Sequence, residues 1–282
     1  MEHFDILIIG GGAAGIAAAK AAGSAKVLLA DRKAKLGGVL LQCTHHGFGK
    51  NKSGIEYAAD LLTDFPEAVS LALNTTVLSV SDDKTAVLSG REFGRKQISF
   101  SQLILASGCR EIPIGALPIG GTRPKGIYTA GQMQEMMNLH GAVPEGPVVI
   151  LGSGDLGLIM AKQLSEAGLS VTIVEQKPHC GGMARNRHCL EEYPIRLLCG
   201  DTIREVQGYP RITGCVTAKG EELSCKTLLI AAGLRPEQEL IAHLGNPEWL
   251  HICGNCNAVH PMVEAVVNEG KQAGQAALKQ MR

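Results

Sequence analysis

The sequence predicts an α/β protein made of two doubly wound units, one inserted into the other, and three observations predict it. An apolar strand, a Gly-x-Gly-x-x-Gly turn and a helix-compatible stretch open the chain at residues 5–22, and the same order recurs at residues 148–168. Each copy runs on into a second apolar strand that ends in an acid, Asp31 and then Glu175. Each is followed, after a similar interval, by a strand entering a small-small-Gly turn, LILASG from Leu103 and LLIAAG from Leu228.

In the first copy, residues 5–9 are a β-rich apolar run and Gly10, Gly12 and Gly15 follow at once, ahead of small residues and the strand KVLLADR. The first glycine allows a tight turn, the second lets backbone N–H groups approach a diphosphate, and the third lets helix pack on strand. The helix N-terminus adds positive potential. Asp31 stands where an acid accepts a hydrogen bond from an adenosine ribose. The second copy reads the same way, with Gly152, Gly154, Gly157 and Glu175 in the matching places. Glycine makes up 35 of the 282 residues, so one such spacing arises easily by accident; two copies with correct flanks do not. The units are therefore expected to be Rossmann-like dinucleotide-binding domains.

Crossings are expected near Arg110 and again at residues 235–238, which makes residues 1–110 and 239–282 one domain and 111–238 the inserted one. Roughly 45 residues remain after the second crossing, too few for a domain of their own. They are expected to rejoin the first domain as a strand, a polar turn and a last helix, with Ala265, Gly270, Gly274 and Ala277 small enough for close packing.

Lys plus Arg and Asp plus Glu each total 27, so nothing resembles the basic footprint of a nucleic-acid or anionic-membrane binder. No apolar run reaches the roughly 18 residues of a membrane helix, and no basic stretch precedes ILIIGGGAAG. A soluble, cytoplasmic protein is expected, with small molecules or other proteins as partners. Nine cysteines, an odd and scattered set, argue for reduced thiols rather than a secreted disulfide framework. No metal site is legible.

These residues resemble the flavoproteins with two dinucleotide-binding domains, the pyridine nucleotide-disulfide reductase class, over essentially the whole chain. The resemblance implies FAD in the first domain, held by Gly10, Gly12, Ala13, Ala14, Gly15, Asp31, Arg32, Gly38, Gln42, Val77, Ser107, Gly108, Gly254, Asn255 and His260. It implies a nicotinamide dinucleotide on Gly152, Gly154, Asp155, Leu156, Gly157, Glu175 and Gly233. With no sequence left for the further dimerisation domain of glutathione-reductase-like members, the compact thioredoxin-reductase-like architecture is expected. Gly254-Asn255 stands where Gly-Asp is usual in the class, and Asn keeps both an acceptor and a donor.

The run GGVLLQCTHHGFG, residues 37–49, resembles the small FAD-dependent oxidoreductases that accompany glycerol-3-phosphate-dehydrogenase-like flavoproteins, which also tend to carry Gly-Asn in the tail. That resemblance implies a partner flavoprotein subunit oxidising glycerol 3-phosphate or another hydroxy or amino substrate. Homo-oligomers are common among such relatives, although no interface is legible here.

The chemistry expected is hydride exchange between NAD(H) and FAD. Glu175 would bind the ribose diol and repel an added 2′-phosphate, with Lys177 nearby as an offset, so NAD(H) is expected over NADP(H). A disulfide reductase also needs two thiols against the flavin. Cys180, Cys189, Cys199, Cys215 and Cys225 of the inserted domain form no Cys-x-x-Cys, and only Cys43 follows the Gly-Gly of the first. Cys43, beside His45 and His46, is either a catalytic or tuning group or a buried, unreactive thiol. Cys253-x-x-Cys256 is either a redox pair at a helix start or part of the flavin-side turn. Two other readings stay open: a stand-alone disulfide reductase or NADH oxidase, and a structural FAD-binding subunit without nicotinamide turnover.

Overall fold

A computed structural model of the chain describes residues 1–281. The chain divides into two units, residues 1–110 with 235–282, and residues 111–234.

The first unit is built on a parallel sheet whose strands run Ser70–Ala72, Val27–Ala30, Glu2–Ile9, Gly94–Leu105 and Leu250–Ile252, side by side. Strand Gly94–Leu105 serves two partners along its length. Its second half lies between Glu2–Ile9 and Leu250–Ile252, while its first half pairs antiparallel with Thr85–Gly90, which pairs in turn with Thr75–Val80. Strands such as ILII and LILA are apolar throughout because a parallel sheet is covered on both faces. Ile6, Ile8, Leu29 and Ile104 are buried on one face, and Phe4, Leu7, Phe100, Leu103 and Leu105 on the other.

Helix Ala13–Ala21, AAGIAAAKA, begins directly after the first glycine turn, and seven of its nine residues are buried. Alanine favours the helix and costs no side-chain entropy. Its smallness also admits the C-terminal helix Val263–Gln280 at backbone distance. A Cβ on Gly270 would lie 2.2 Å from the Ala14 carbonyl oxygen, and one on Gly274 would lie 2.4 Å from that of Ala18. The last helix is thus bound to the first by small residues on both sides, as the composition of the tail implied.

The inserted unit carries a five-stranded parallel sheet in the order Ile127–Thr129, Thr227–Ile230, Val148–Leu151, Val171–Glu175 and Arg196–Cys199. Helix Asp155–Glu166 covers one face with Leu158, Met160, Ala161 and Leu164 buried. The second sheet of this unit, Gly120–Gly121, Ile203–Gln207, Gly214–Thr217 and Glu222–Ser224, packs Ile203, Val206, Cys215 and Leu223 into the other core.

The return crossing falls between Leu234 and Arg235, whereas the sequence reading keeps residues 235–238 in the inserted domain. Arg110 pairs with Glu237 and Glu239, the Ser107 hydroxyl donates to the Glu237 carbonyl, and the Glu237 N–H donates to Gly108. These bonds hold residues 237–239 in the first unit. Among the described residues no helix is long and apolar enough to cross a membrane, and no group of His, Cys, Asp and Glu is arranged to hold a metal ion.

Candidate functional site

Each unit presents the same turn. Gly10 and Gly152 both have φ +107, and a Cβ on either would lie 2.3 Å from a carbonyl oxygen, of Ala106 and Ala231 respectively. Any larger residue is excluded there by both backbone strain and contact. A Cβ on Gly15 would lie 1.8 Å from the Gly10 oxygen, and one on Gly157 would lie 2.2 Å from that of Gly152. These two glycines therefore set the helix against the strand.

The middle glycines differ in kind. Gly12 and Gly154 are helix N-caps in extended conformation without a capping side chain. A Cβ on Gly12 would meet nothing nearer than the Gly38 Cα at 4.0 Å, and one on Gly154 would meet nothing within 4 Å. Space is open above two helix starts whose first N–H groups have no capping partner, which is the cradle a diphosphate needs. The residues present fit FAD in the first unit and an adenine dinucleotide in the second.

The acids close each turn from the side. Asp31 accepts the Gly11 N–H at 2.5 Å and the Lys33 N–H at 2.7 Å. Glu175 accepts the Ser153 N–H at 2.7 Å, the Ser153 hydroxyl at 2.6 Å and the Lys177 N–H at 2.9 Å. Burial would raise the Glu175 carboxyl, but these bonds and the Lys177 charge outweigh it and hold the group below the usual carboxylate range. Both acids then lead into the same spelling, Asp31-x-Lys33-x-x-x-Gly37-Gly38 and Glu175-x-Lys177-x-x-x-Gly181-Gly182. The Gly37 N–H donates to the Gly11 carbonyl at 2.8 Å, and the Gly181 N–H donates to the Ser153 hydroxyl at 2.7 Å. The internal repeat thus runs on past the acid as far as the second Gly-Gly. It is legible in the sequence once the two acids are aligned, although the glycine fingerprint alone does not show it.

The structure brings the late turn of the first unit to the fingerprint helix. A Cβ on Gly254 would lie 2.8 Å from that of Ala14. Asn255 accepts the His260 N–H at 3.0 Å, and His260 Nε2 lies 2.7 Å from Glu269 Oε1. Glu269 Oε2 accepts the Gly254 N–H at 2.8 Å. Glu269 is absent from the sequence reading, because its partner is a turn that forms only when the chain folds. Glu264, in the first turn of the same helix, accepts the Gly49 N–H at 3.2 Å through Oε1 and leaves its other, buried oxygen without a partner. Gly10, Gly12, Ala13, Ala14, Gly15, Asp31, Gly38, Gly254, Asn255 and His260 consequently form one connected set. Ser107 adjoins Gly10, its N–H 3.1 Å from where a Gly10 Cβ would be, and Gly108 follows it. Strand Thr75–Val80, which carries Val77, starts beside Asp31, whose carbonyl accepts the Thr75 N–H. Arg32 is exposed next to that acid, and Gln42 ends the short helix Gly38–Gln42. In the inserted unit Asp155 and Leu156 start the helix, and Gly233 follows Ala231 by two residues.

The cysteines lie in different settings. Cys43 is buried, its thiol donates to the Val39 carbonyl, and burial pushes it up to about 12. That setting keeps the sulfur protonated, which suits a packed thiol and not a nucleophile. The Cys256 thiol lies 3.1 Å from the carbonyl oxygens of both Leu105 and Cys253, and the Cys253 thiol reaches the same Leu105 oxygen at 3.7 Å. Both are fully buried, and burial raises the Cys253 thiol well above its ordinary value.

Residues 4–248 match the family described as pyridine nucleotide-disulphide oxidoreductase. The chain belongs to that family. It is 26% identical over 276 residues to the hydrogen cyanide synthase subunit HcnB of Pseudomonas protegens, covering 85% of this chain and 58% of that one. It is 31% identical over 202 residues to an opine oxidase subunit of Agrobacterium tumefaciens, covering 66% of this chain and 40% of that one. The chain therefore spans about half the length of these relatives. The fold is shared with the thioredoxin reductase of T. acidophilum at a TM-score of 0.79 and 18% identity, over 100% of this chain and 99% of that one.

Proposed function

We propose that this chain is the FAD- and pyridine-nucleotide-binding component of an oxidoreductase, exchanging electrons with a partner flavoprotein subunit that acts on a hydroxy or amino substrate. The observation that carries this reading is the duplicated clasp: two glycine turns, each closed by an acid that accepts two or more N–H groups, each open above an uncapped helix start. Two adenine dinucleotides of different kinds are the ligands such a pair is built for.

FAD, when bound, supplies a redox centre that takes a hydride from a reduced nicotinamide and releases electrons singly or in pairs. The protein's own residues bind and orient. Asp31 and Glu175 hold each ribose end, Gly12 and Gly154 leave room for the diphosphates, and the His260–Glu269 pair fixes the Gly254-Asn255 turn. Glu175, held below the usual carboxylate range and with Oε1 still able to accept, places negative charge where a 2′-phosphate would sit, which favours NADH over NADPH. A stand-alone disulfide reductase needs an exposed dithiol beside the flavin. The buried Cys253 and Cys256 and the protonated Cys43 favour the partner instead, as do relatives that are named subunits of an oxidase and a synthase.

The test is anaerobic mixing of the FAD-loaded chain with NADH. Bleaching of the flavin with no new thiols on titration, and slow turnover until a partner is added, is the expected result. A yellow protein that NADH never bleaches would leave only a structural role for FAD, and two new thiols per bleached flavin would show a disulfide reductase.

A further inference from the structure

The two clasps align residue for residue through their turns, with Gly10, Gly11, Gly12, Ala13, Ala14 and Gly15 matched by Gly152, Ser153, Gly154, Asp155, Leu156 and Gly157. Only one of these pairs differs in charge. Where the first turn starts its helix with the buried Ala13, the second starts with Asp155. A carboxylate at a helix N-terminus is favourable for the helix itself, since it opposes the dipole. It is unfavourable for any anion that uses the same helix start.

Asp155 is also engaged. Its Oδ1 accepts the Met183 N–H at 2.7 Å and the Asn186 side-chain amide at 2.6 Å. Gly182, immediately before Met183, lies so close that a Cβ there would be 3.2 Å from that oxygen and 3.3 Å from the Asp155 nitrogen. The stretch following the second Gly-Gly is therefore fastened across the turn by the acid that the first turn lacks. The neutral partners, an N–H and an amide, fix the carboxylate in place without cancelling its charge.

We propose that Asp155 sets the affinity of the inserted unit for its dinucleotide, placing a fixed negative charge against the diphosphate so that this cofactor binds weakly and exchanges while FAD, on an uncharged turn, stays. The proposal rests on the reading that the inserted unit takes a pyridine dinucleotide. It divides the labour between two otherwise matching clasps: a resident cofactor where the turn reads Gly-Ala-Ala-Gly, and a travelling one where it reads Gly-Asp-Leu-Gly.

The experiment is calorimetric titration of the FAD-loaded protein and its variants with NAD+, ADP and adenosine. Asp155→Asn keeps the acceptor for Met183 and removes the charge, and Asp155→Ala copies Ala13. Both are expected to bind NAD+ and ADP about tenfold more tightly than the unaltered protein, the scale of removing one like charge from a phosphate site. Adenosine, which has no phosphate, should bind all three alike, and the tenfold gap should narrow as salt is raised. Asn186→Ala leaves the charge in place and should leave the ratio of ADP to adenosine affinity unchanged. Unchanged or weaker ADP binding by both Asp155 variants would overturn the assignment, as would an equal gain for adenosine, which signals a rearranged pocket. If neither the unaltered protein nor either variant bound ADP, the dinucleotide reading of the unit would fall, and this proposal with it.

Discussion

Ser153 closes on Glu175 twice, its backbone N–H and its hydroxyl reaching the same carboxylate oxygen at 2.7 and 2.6 Å. The acid is consequently a structural tie as well as the proposed ribose ligand, and the structural role depends on pH. Its native pKa is depressed, so the stability it contributes is present above the ordinary glutamate value of about 4.3 and is lost as pH falls through the lower native value. Glu175→Gln should cost about 2 kcal/mol at neutral pH. In urea unfolding followed across pH, that gap should shrink below about pH 4.

The same variant should weaken the preference between nicotinamide cofactors. With the charge gone, the ratio of kcat/KM for NADH over NADPH should fall about tenfold, read as the rate of flavin reduction by each. An unchanged ratio would place the discrimination elsewhere.

Gly152 and Gly154 separate folding from binding. Gly152→Ala must relieve both φ +107 and a 2.3 Å contact with the Ala231 oxygen, and is expected to destabilise the inserted unit by about 3 kcal/mol. Gly154→Ala has φ −65 and nothing within 4 Å, so thermal stability should hold within about 0.5 kcal/mol. Its methyl group would nevertheless stand in the cradle, and ADP binding should weaken by about tenfold or more.

Gly270→Ala tests the contact between the last helix and the first. The added carbon would lie 2.2 Å from the Ala14 oxygen, inside the fingerprint helix. About 3 kcal/mol of destabilisation in denaturant is expected, with purified protein carrying less flavin per chain by absorbance.

Cys43, pushed up to about 12, should carry on the order of a thousandfold less thiolate at pH 8 than an ordinary thiol. Iodoacetamide should leave it unmodified in the folded protein and label it after denaturation, as read by peptide mass spectrometry. Rapid labelling in the native state would restore the catalytic reading of this residue.

Much of this arrangement was legible before the fold. The two glycine turns and their acids could be read because the pattern is local: strand, turn, helix and strand follow one another, and the third glycine of each turn answers a contact with the first. Gly15 against Gly10 and Gly157 against Gly152 show the same logic in both copies. Less could be read where partners are distant. Glu269 looks like any acid on an amphipathic helix until the Gly254 N–H arrives beside it. The return crossing depends on Arg110 finding Glu237 and Glu239, more than a hundred residues away. The spacing of Cys253 and Cys256 invites a redox reading, and only their burial beneath the Leu105 carbonyl answers it.

The insertion has a consequence for how the protein is made. Residues 111–234 are continuous, so that unit has every strand of its sheet once they have left the ribosome. The surrounding unit, although begun first, must wait for strand Leu250–Ile252 and helix Val263–Gln280. Until then the apolar face of helix Ala13–Ala21 stands uncovered, and the nascent chain is open to chaperones or to aggregation for the time needed to translate the whole insert. Birth order and folding order are thereby reversed.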